Sequence, residues 1–431
     1  MLLIFAKKNT SRLQYIIHYF FRDILNTEFN LINDAKQFEI YTGPKLNYSV
    51  QSFENCISIC PQGILFEDDI KQIKIAVFDF ETTKAFFRTS SPDFSFDLFG
   101  ASFYLLSRYE EYLPFIADQH GRFEAKQSLS AKYNFLFQPV INYWADSLKK
   151  TLRLRFPSIP FKENKYHFIP TIDVDNVYAY TGKGFFRSTG AYLKSVLKLD
   201  LETIVDRTYV LLGKRFDPFD GYLEQEYLVK KHQLQLIYFL LFGSRSKYDH
   251  NVAPENKKYQ TLVQHLSAFS EIGIHPSYRS NGRSSGIISE KEHLEKITKK
   301  KVLQSRQHFL KMKLPDTYRN LIESGITEDY SMGYASSPGF RAGTCIPFNF
   351  FDLEQNEETN LRIFPFAVMD ITFRDYLKIG PKEALAHIEK LITEVKKMNG
   401  VFISVWHDRS FSTTHYPGWK QIFEKMIELA K

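Results

Sequence analysis

The sequence predicts an α/β chain in two parts: a smaller α/β domain over residues 1–163, then a β/α barrel of about seven units over residues 164–431. Three observations carry this. The 431 residues exceed one ordinary domain. From Tyr166 onward, short near-continuous apolar runs alternate with helical patterns, which implies a parallel sheet covered on both faces. About seven such units fill about 265 residues, which favours a barrel, complete or not, over an open sheet.

In the first part, Ile73–Phe78 reads as a strand, and Ala101–Tyr112 as a helix with Phe103, Leu106 and Tyr109 on one stripe. Pro157, Pro160 and the polar run Lys162–Lys165 read as a linker. The aromatic helices before it need burial, so this part is expected to pack on the barrel, covering its rim or reaching substrate through Arg108 or Glu111. In the second part the strands expected are His167–Ile172, Leu234–Phe242, Glu271–His275, His308–Met312, Tyr330–Tyr334, Ile363–Met369 and Gly400–Trp406. The helices expected between them are Tyr222–His232, Tyr259–Phe269, Ser289–Phe309, Pro315–Ser324 and Pro381–Met398. Leu321–Ser324 closing on Gly325 has the form of a glycine-terminated helix.

Composition bounds the function. Hydrophobic residues are 44% and charged residues 24%, while 40 Phe and 25 Tyr help raise the aromatic share to 16%. Such a chain builds large cores and is neither disordered, collagen-like nor coiled coil. The net charge of +7 is spread out, and the densest run, Lys299–Lys301, lies in a helical stretch beside Glu290, Glu292 and Glu295, so no nucleic-acid partner is expected. Cys56, Cys60 and Cys345 form no disulfide framework and no zinc set of their own, and read as free thiols in a reducing compartment. Lys7 and Lys8 interrupt the opening apolar run, and no stretch approaches the roughly 18 apolar residues of a membrane span. A cytoplasmic location is the expectation.

The chemistry-bearing residues stand at the ends of the predicted strands, where barrels keep their sites. Asp173-Val174-Asp175 follows the first apolar run, and two carboxylates there can share a cation and a proton-accepting role; an Asp-rich turn is the alternative. His275 ends the third strand, Arg306 and His308 alternate on the next, Asp370 follows Met369, and His407 closes Val405-Trp406-His407. Arg341, flanked by Gly339 and Gly343, is expected to clamp a substrate oxyanion, or else to pair with Asp329 or Asp352. No nucleophile elbow and no phosphate loop are present, which disfavours serine hydrolases and nucleotide enzymes.

The order of these motifs over about residues 165–431 resembles the polysaccharide deacetylase family (carbohydrate esterase family 4), whose fold is a distorted seven-unit β/α barrel. Thr171-Ile172-Asp173-Val174-Asp175 is similar to its Thr-Phe-Asp-Asp opening, with one residue inserted between the aspartates. Gly273–Ser277 is similar to its His-Ser/Thr-x-x-His strand end, Arg306-Gln307-His308 falls where its Arg-x-Pro-Tyr strand belongs, and Val405–His407 resembles its closing Leu-x-His. Leu105–Tyr112 and Asp118–Phe123 resemble an uncharacterised domain that precedes a bacterial subgroup of these proteins. The resemblance implies hydrolysis of the amide of an N-acetylated sugar by metal-activated water, with a zinc-type ion lowering the pKa of its water to about 7. It implies Asp173 as base, Asp175 and His275 as metal ligands and His407 as acid, with Arg306 and Asp370 completing the catalytic set. Asp329, Arg341 and Tyr278 are the expected substrate contacts.

One position departs from the pattern. Arg279 stands where the second histidine ligand belongs, and a cation cannot replace an imidazole; His308 is the candidate third ligand. Two further readings stay open. One is a metal-free hydrolase of non-peptide C–N bonds on the same fold, using Asp173, His275, Arg306 and His407. The other is an inactive carbohydrate-binding protein whose Tyr and Phe stack on sugar rings. For a chain in the cytoplasm, a glycan precursor is a more accessible substrate than extracellular polymer.

Overall fold

The computed structural model describes residues 1–431. The chain opens with β1 (Leu2–Ala6), five apolar residues all buried. It crosses through α1 (Ser11–His18), which Thr10 caps, to β2 (Phe29–Ile32). A second crossover by α2 (Ala35–Ile40) leads to β3 (Lys45–Tyr48), and β4 (Ile57–Ser58) follows. These four strands are parallel, in the order β2-β1-β3-β4. A small hairpin of β5 (Phe78–Phe80) and β6 (Thr83–Ala85) precedes α3 (Leu98–Leu106), α4 (Leu129–Lys132) and α5 (Val140–Arg155). Ile73–Val77 joins no sheet, and the expected linker is docked at two points: Thr27 donates to the Pro160 carbonyl at 2.7 Å and Asn164 donates to that of Ile24 at 3.0 Å.

Asp97 caps α3 from a fully buried position. Its oxygens accept from Gly100 N at 2.8 Å, Gln62 N at 2.9 Å and the Tyr48 hydroxyl at 3.0 Å. Burial outweighs these hydrogen bonds and pushes the carboxyl up to about 6 from an ordinary 3.8. The folded chain therefore holds one more proton than the unfolded chain between those values, and stability falls as pH rises through that window. Asp97→Asn keeps a capping oxygen and removes the titration. Its urea midpoint relative to the parent is expected to rise from pH 4 to pH 7, by on the order of 2–3 kcal/mol in stability; parallel pH profiles for the two proteins would contradict this.

The second sheet begins at β7 (His167–Val174). Three helices, α6 (Phe185–Leu197), α7 (Leu201–Leu211) and α8 (Tyr222–His232), lead to β8 (Ile237–Leu240). Then α9 (Lys257–Leu266), β9 (Glu271–Ile274), α10 (Ser284–Thr298), β10 (Gln304–Ser305), α11 (Asp316–Glu323) and β11 (Glu328–Asp329) follow in turn. The chain ends through β12 (Phe348–Asp352), β13 (Glu357–Ile363), β14 (Val368–Met369), α12 (Pro381–Lys397), β15 (Val401–His407) and α13 (Trp419–Ala430). The order is β12-β13-β11-β10-β9-β8-β7-β15-β14, parallel throughout except that β12 runs antiparallel to β13. One run of chain serves both ends of the parallel series. β13 pairs with β11, and five residues on β14 pairs with β15. Between them Phe364 N donates to Asp329 O at 2.8 Å and Ala367 N to Ile403 O at 3.0 Å. Phe239, Tyr330, Phe366, Ile403 and Val405 pack together there, apart from the main core.

Several elements differ from expectation for local reasons. His308–Met312 is no strand: β10 ends at Ser305, and a tight turn at His308–Leu310 follows with Phe309 and Leu310 in the left-handed region (φ 60° and 49°). The alternating apolar pattern arises because this turn buries Leu310 and Met312 from a loop. The helix expected over Ser289–Phe309 ends at Thr298, where Lys299 turns left-handed. The strand expected at Tyr330–Tyr334 is shorter and earlier, β11. The helix expected to reach Tyr112 ends at Leu106, because left-handed Arg108 (φ 55°) turns the chain and sends its guanidinium inward. The first 160 residues pack directly on the second sheet, as the aromatic helices require: Tyr15 donates to Asn349 O at 2.7 Å and Arg12 to Asn356 at 2.8 Å.

Candidate metal and acid–base site

β7 and β15 are neighbours, and their register sets Asp173 beside His407. Successive side chains on an extended chain alternate in direction, so Val174 enters the core while Asp173 and Asp175 face the same way. The inserted residue thus brings both carboxylates to one cleft of about 320 Å³ at the C-terminal ends of the strands. His275, just past β9, and His308, on the left-handed turn after β10, line the same cleft.

The two imidazoles are fixed from behind. His275 Nδ1 donates to the Arg306 carbonyl at 2.5 Å, and His308 Nδ1 donates to Asp249 at 2.9 Å. Each Nε2 therefore faces inward, at 3.3 Å and 3.5 Å from Asp175 Oδ1. That oxygen is buried and accepts no hydrogen bond from the protein. The three ligand atoms lie within 4.8 Å of one another and could hold a metal ion. Two ring nitrogens and a carboxylate, backed by a carbonyl and a second carboxylate, are the donor set and outer support that a zinc-type ion takes.

Around this group stand two further pairs. Asp173 Oδ1 accepts from Arg306 Nη1 at 2.8 Å, and its Oδ2 faces His275 Nε2 at 3.8 Å and His407 Nε2 at 4.0 Å. Arg306 is wholly buried, with Thr171 Oγ1 at 2.6 Å and the Tyr330 carbonyl at 2.9 Å as its other acceptors. His407 Nδ1 donates to Asp370 at 2.6 Å, while Asp370 also accepts from Ser410 Oγ and from His407 N. Burial alone would raise the Asp175 carboxyl, but His308, His275 and His407 outweigh it and hold it well below the usual carboxylate range. Burial opposes protonation of His275 and His407, yet the surrounding carboxylates prevail and both are raised. Burial, reinforced by the charge of Asp175, pushes Asp408 up to about 7.

Asp173, Asp175, His275, His308 and His407 are thus brought together, with Arg306 and Asp370 directly behind them. The remaining expected contacts are not. Arg341 is 3% exposed and paired with Glu111 at 2.6 Å, because Gly339 and Gly343 turn it toward the N-terminal segment rather than the cleft. Asp329 is fully buried and accepts from Ser305 at 2.8 Å and Ser331 at 2.9 Å, away from the cleft. Tyr278 sits one layer out, its hydroxyl 3.3 Å from His120 Nδ1. Arg279 is exposed and lines a separate polar recess with Ser280 and Arg283, so it takes no part in the ligand group.

Sequence reasoning assigned no role to four residues that shape the cleft. His120 and Arg122 reach it from the N-terminal segment; Arg122 donates to Asp118 and to the Tyr376 hydroxyl at 2.9 Å. Their signal was the turn Asp118-x-His120-Gly121-Arg122, whose glycine is left-handed (φ 80°). Arg409 lines the cleft with a buried Nε that has no partner. Asp249, which orients His308, comes from an irregular loop with no pattern to mark it.

Residues 2–157 match a family of unknown function (DUF7033). No curated protein matches the chain. Solved structures it resembles include polysaccharide deacetylases and members of carbohydrate esterase family 4. One from Mycobacterium smegmatis, assigned as a polysaccharide deacetylase, is 12% identical over 62% of this chain and 84% of that one, with a TM-score of 0.41. A family 4 carbohydrate esterase from Streptomyces lividans, in complex with acetate, is 9% identical over 61% and 90%, with a TM-score of 0.29. A pseudoenzyme of the family from Bacillus anthracis is 14% identical over 62% of each chain, with a TM-score of 0.29. Likeness at this level carries no argument about chemistry, which rests on the residues of the cleft. No helix is long and apolar enough to cross a membrane.

Proposed function

We propose that residues 164–431 form a closed β/α barrel of the polysaccharide deacetylase type, that residues 1–163 are a separate unit seated on it, and that the chain is a metal-dependent hydrolase of the amide in an N-acylated sugar or glycan. The observation that carries the chemistry is the convergence of His275 and His308 Nε2 on the unpartnered Asp175 Oδ1. Bound by these three groups, a zinc-type divalent ion supplies Lewis acidity at the reacting amide. Asp173 is the base: Arg306 donates to Oδ1, leaving Oδ2 to take a proton from the attacking water. His407 is the acid: Asp370 holds its Nδ1 proton and favours the cation, so Nε2 delivers a proton to the departing amine as the C–N bond breaks. The products are a free amine on the sugar and a carboxylate. His120, Arg122 and Tyr376 form the wall against which the sugar would rest.

The test is acetate release from N-acetylglucosamine oligomers. Turnover is expected to vanish on chelation and to return with zinc or cobalt. Turnover indifferent to the chelator would instead support metal-free acid–base hydrolysis by the same histidines and aspartates.

A further inference from the structure

The loop after Asp175 carries a feature that the cleft does not explain. Residues 176–217 leave the end of β7, run through α6 and α7, and return to their starting point. There the Asp217 carboxylate closes the base, accepting from Ala179 N at 2.6 Å and from Tyr180 N and Thr181 N at 2.9 Å each. The two helices are joined to each other by Tyr192 and Thr208, whose hydroxyls lie 2.9 Å apart. Arg207 lies over the Tyr180 and Tyr192 rings.

The outer faces of this hairpin are apolar and uncovered. On α6, Phe186, Leu193 and Leu197 recur at helical spacing on one stripe, exposed by 90%, 61% and 77%, while Ser195 on the opposite side is buried. On α7, Leu201 and Val205 continue the pattern, with Val210 buried behind them. The turn between the helices holds Leu199 left-handed (φ 53°) and 84% exposed, a costly place for a leucine facing only water. Soluble monomers seldom leave so much contiguous apolar surface without a use.

Charge identifies what fits. Residues 183–216 carry seven Lys or Arg against three Asp or Glu, a net charge of +4. Lys194 on α6, Lys198 at its C-terminal end and Lys214 just past α7 are exposed, and Arg215 beside Lys214 is exposed with Asp206 as its partner at 3.3 Å. Pairing with a second copy would set this positive collar against itself, in a chain that is already +7. An anionic lipid surface complements both parts, taking the apolar side chains below the headgroups and the cations among the phosphates. We propose that the α6–α7 hairpin is a docking device for an anionic phospholipid bilayer. The proposal is independent of the reaction assigned to the cleft.

Flotation with vesicles tests it. The intact chain is expected to float with phosphatidylcholine vesicles containing phosphatidylglycerol at low ionic strength, and far less with phosphatidylcholine alone. Leu193→Ser/Leu197→Ser/Leu199→Ser should lower the bound fraction at least tenfold, and Lys194→Glu/Lys198→Glu should remove the preference for the anionic lipid. Circular dichroism checks that both variants stay folded. A separate single variant, Leu199→Trp, should shift its emission to the blue on meeting anionic vesicles, since the native tryptophans are already buried. A parent chain that stays unbound, or an apolar variant that floats as well as the parent, overturns the proposal. So does a parent dimer in sedimentation that the apolar variant dissociates without any flotation, which would assign the face to a second copy.

Discussion

Asp173→Asn is expected to lower the rate of acyl release by on the order of 10²–10⁴-fold, the usual worth of a positioned general base, while leaving metal content unchanged. The asparagine oxygen can still accept from Arg306, so the strand end keeps its shape. What disappears is the second carboxylate oxygen, the one that faces His275 and His407 at 3.8 Å and 4.0 Å. The ligand group of Asp175, His275 and His308 is untouched by the change. Paired measurements of kcat and bound metal separate the roles. Activity lost with metal retained identifies the base; metal lost together with activity would make Asp173 a ligand.

The largest loss of stability is expected from Glu111→Ala. Glu111 lies between two buried guanidiniums: its Oε1 accepts from Arg108 at 2.8 Å and Arg341 at 2.9 Å, and its Oε2 from Arg341 at 2.6 Å. Arg108 in turn donates to the Arg341 carbonyl and to the Tyr334 hydroxyl. Removing the carboxylate leaves buried cations short of countercharge, at a cost of about 3–5 kcal/mol. Urea denaturation of the full chain reads this directly. Replacing the cluster with apolar residues of similar size should recover much of the loss, because desolvating the ions offsets most of what their pairing contributes. If Arg341→Met instead raised KM for a sugar without lowering stability, Arg341 would be the substrate clamp that the sequence alone predicts.

Asp173, Asp175, His275 and His407 were legible because each follows an apolar run that becomes a parallel strand, and the C-terminal strand ends of such a sheet meet at one rim. His308 was legible as a residue and not as an element: His308–Met312 reads like a strand, but Phe309 and Leu310 fold as a left-handed turn, which is what swings the imidazole toward Asp175. Arg341 was misread because its partner lies 230 residues earlier in the chain, beyond any local pattern. His120 and Arg122 were missed as cleft residues for the same reason, since only tertiary packing carries the N-terminal segment to the rim. The α6–α7 hairpin escaped because strand-and-helix alternation draws attention to what is buried, and this hairpin's apolar face is not.

Metal content of the intact chain, its Asp175→Ala variant and its His308→Ala variant is the most direct measurement of the central claim. After dialysis against zinc and removal of excess ion, elemental analysis is expected to find about one ion per parent chain and far less in either variant. An Arg279→Ala variant should retain the ion, because Arg279 points away from the cleft. A parent chain that keeps no ion, or a His308→Ala variant that binds it as fully as the parent, would contradict the assignment of Asp175, His275 and His308 as a metal site.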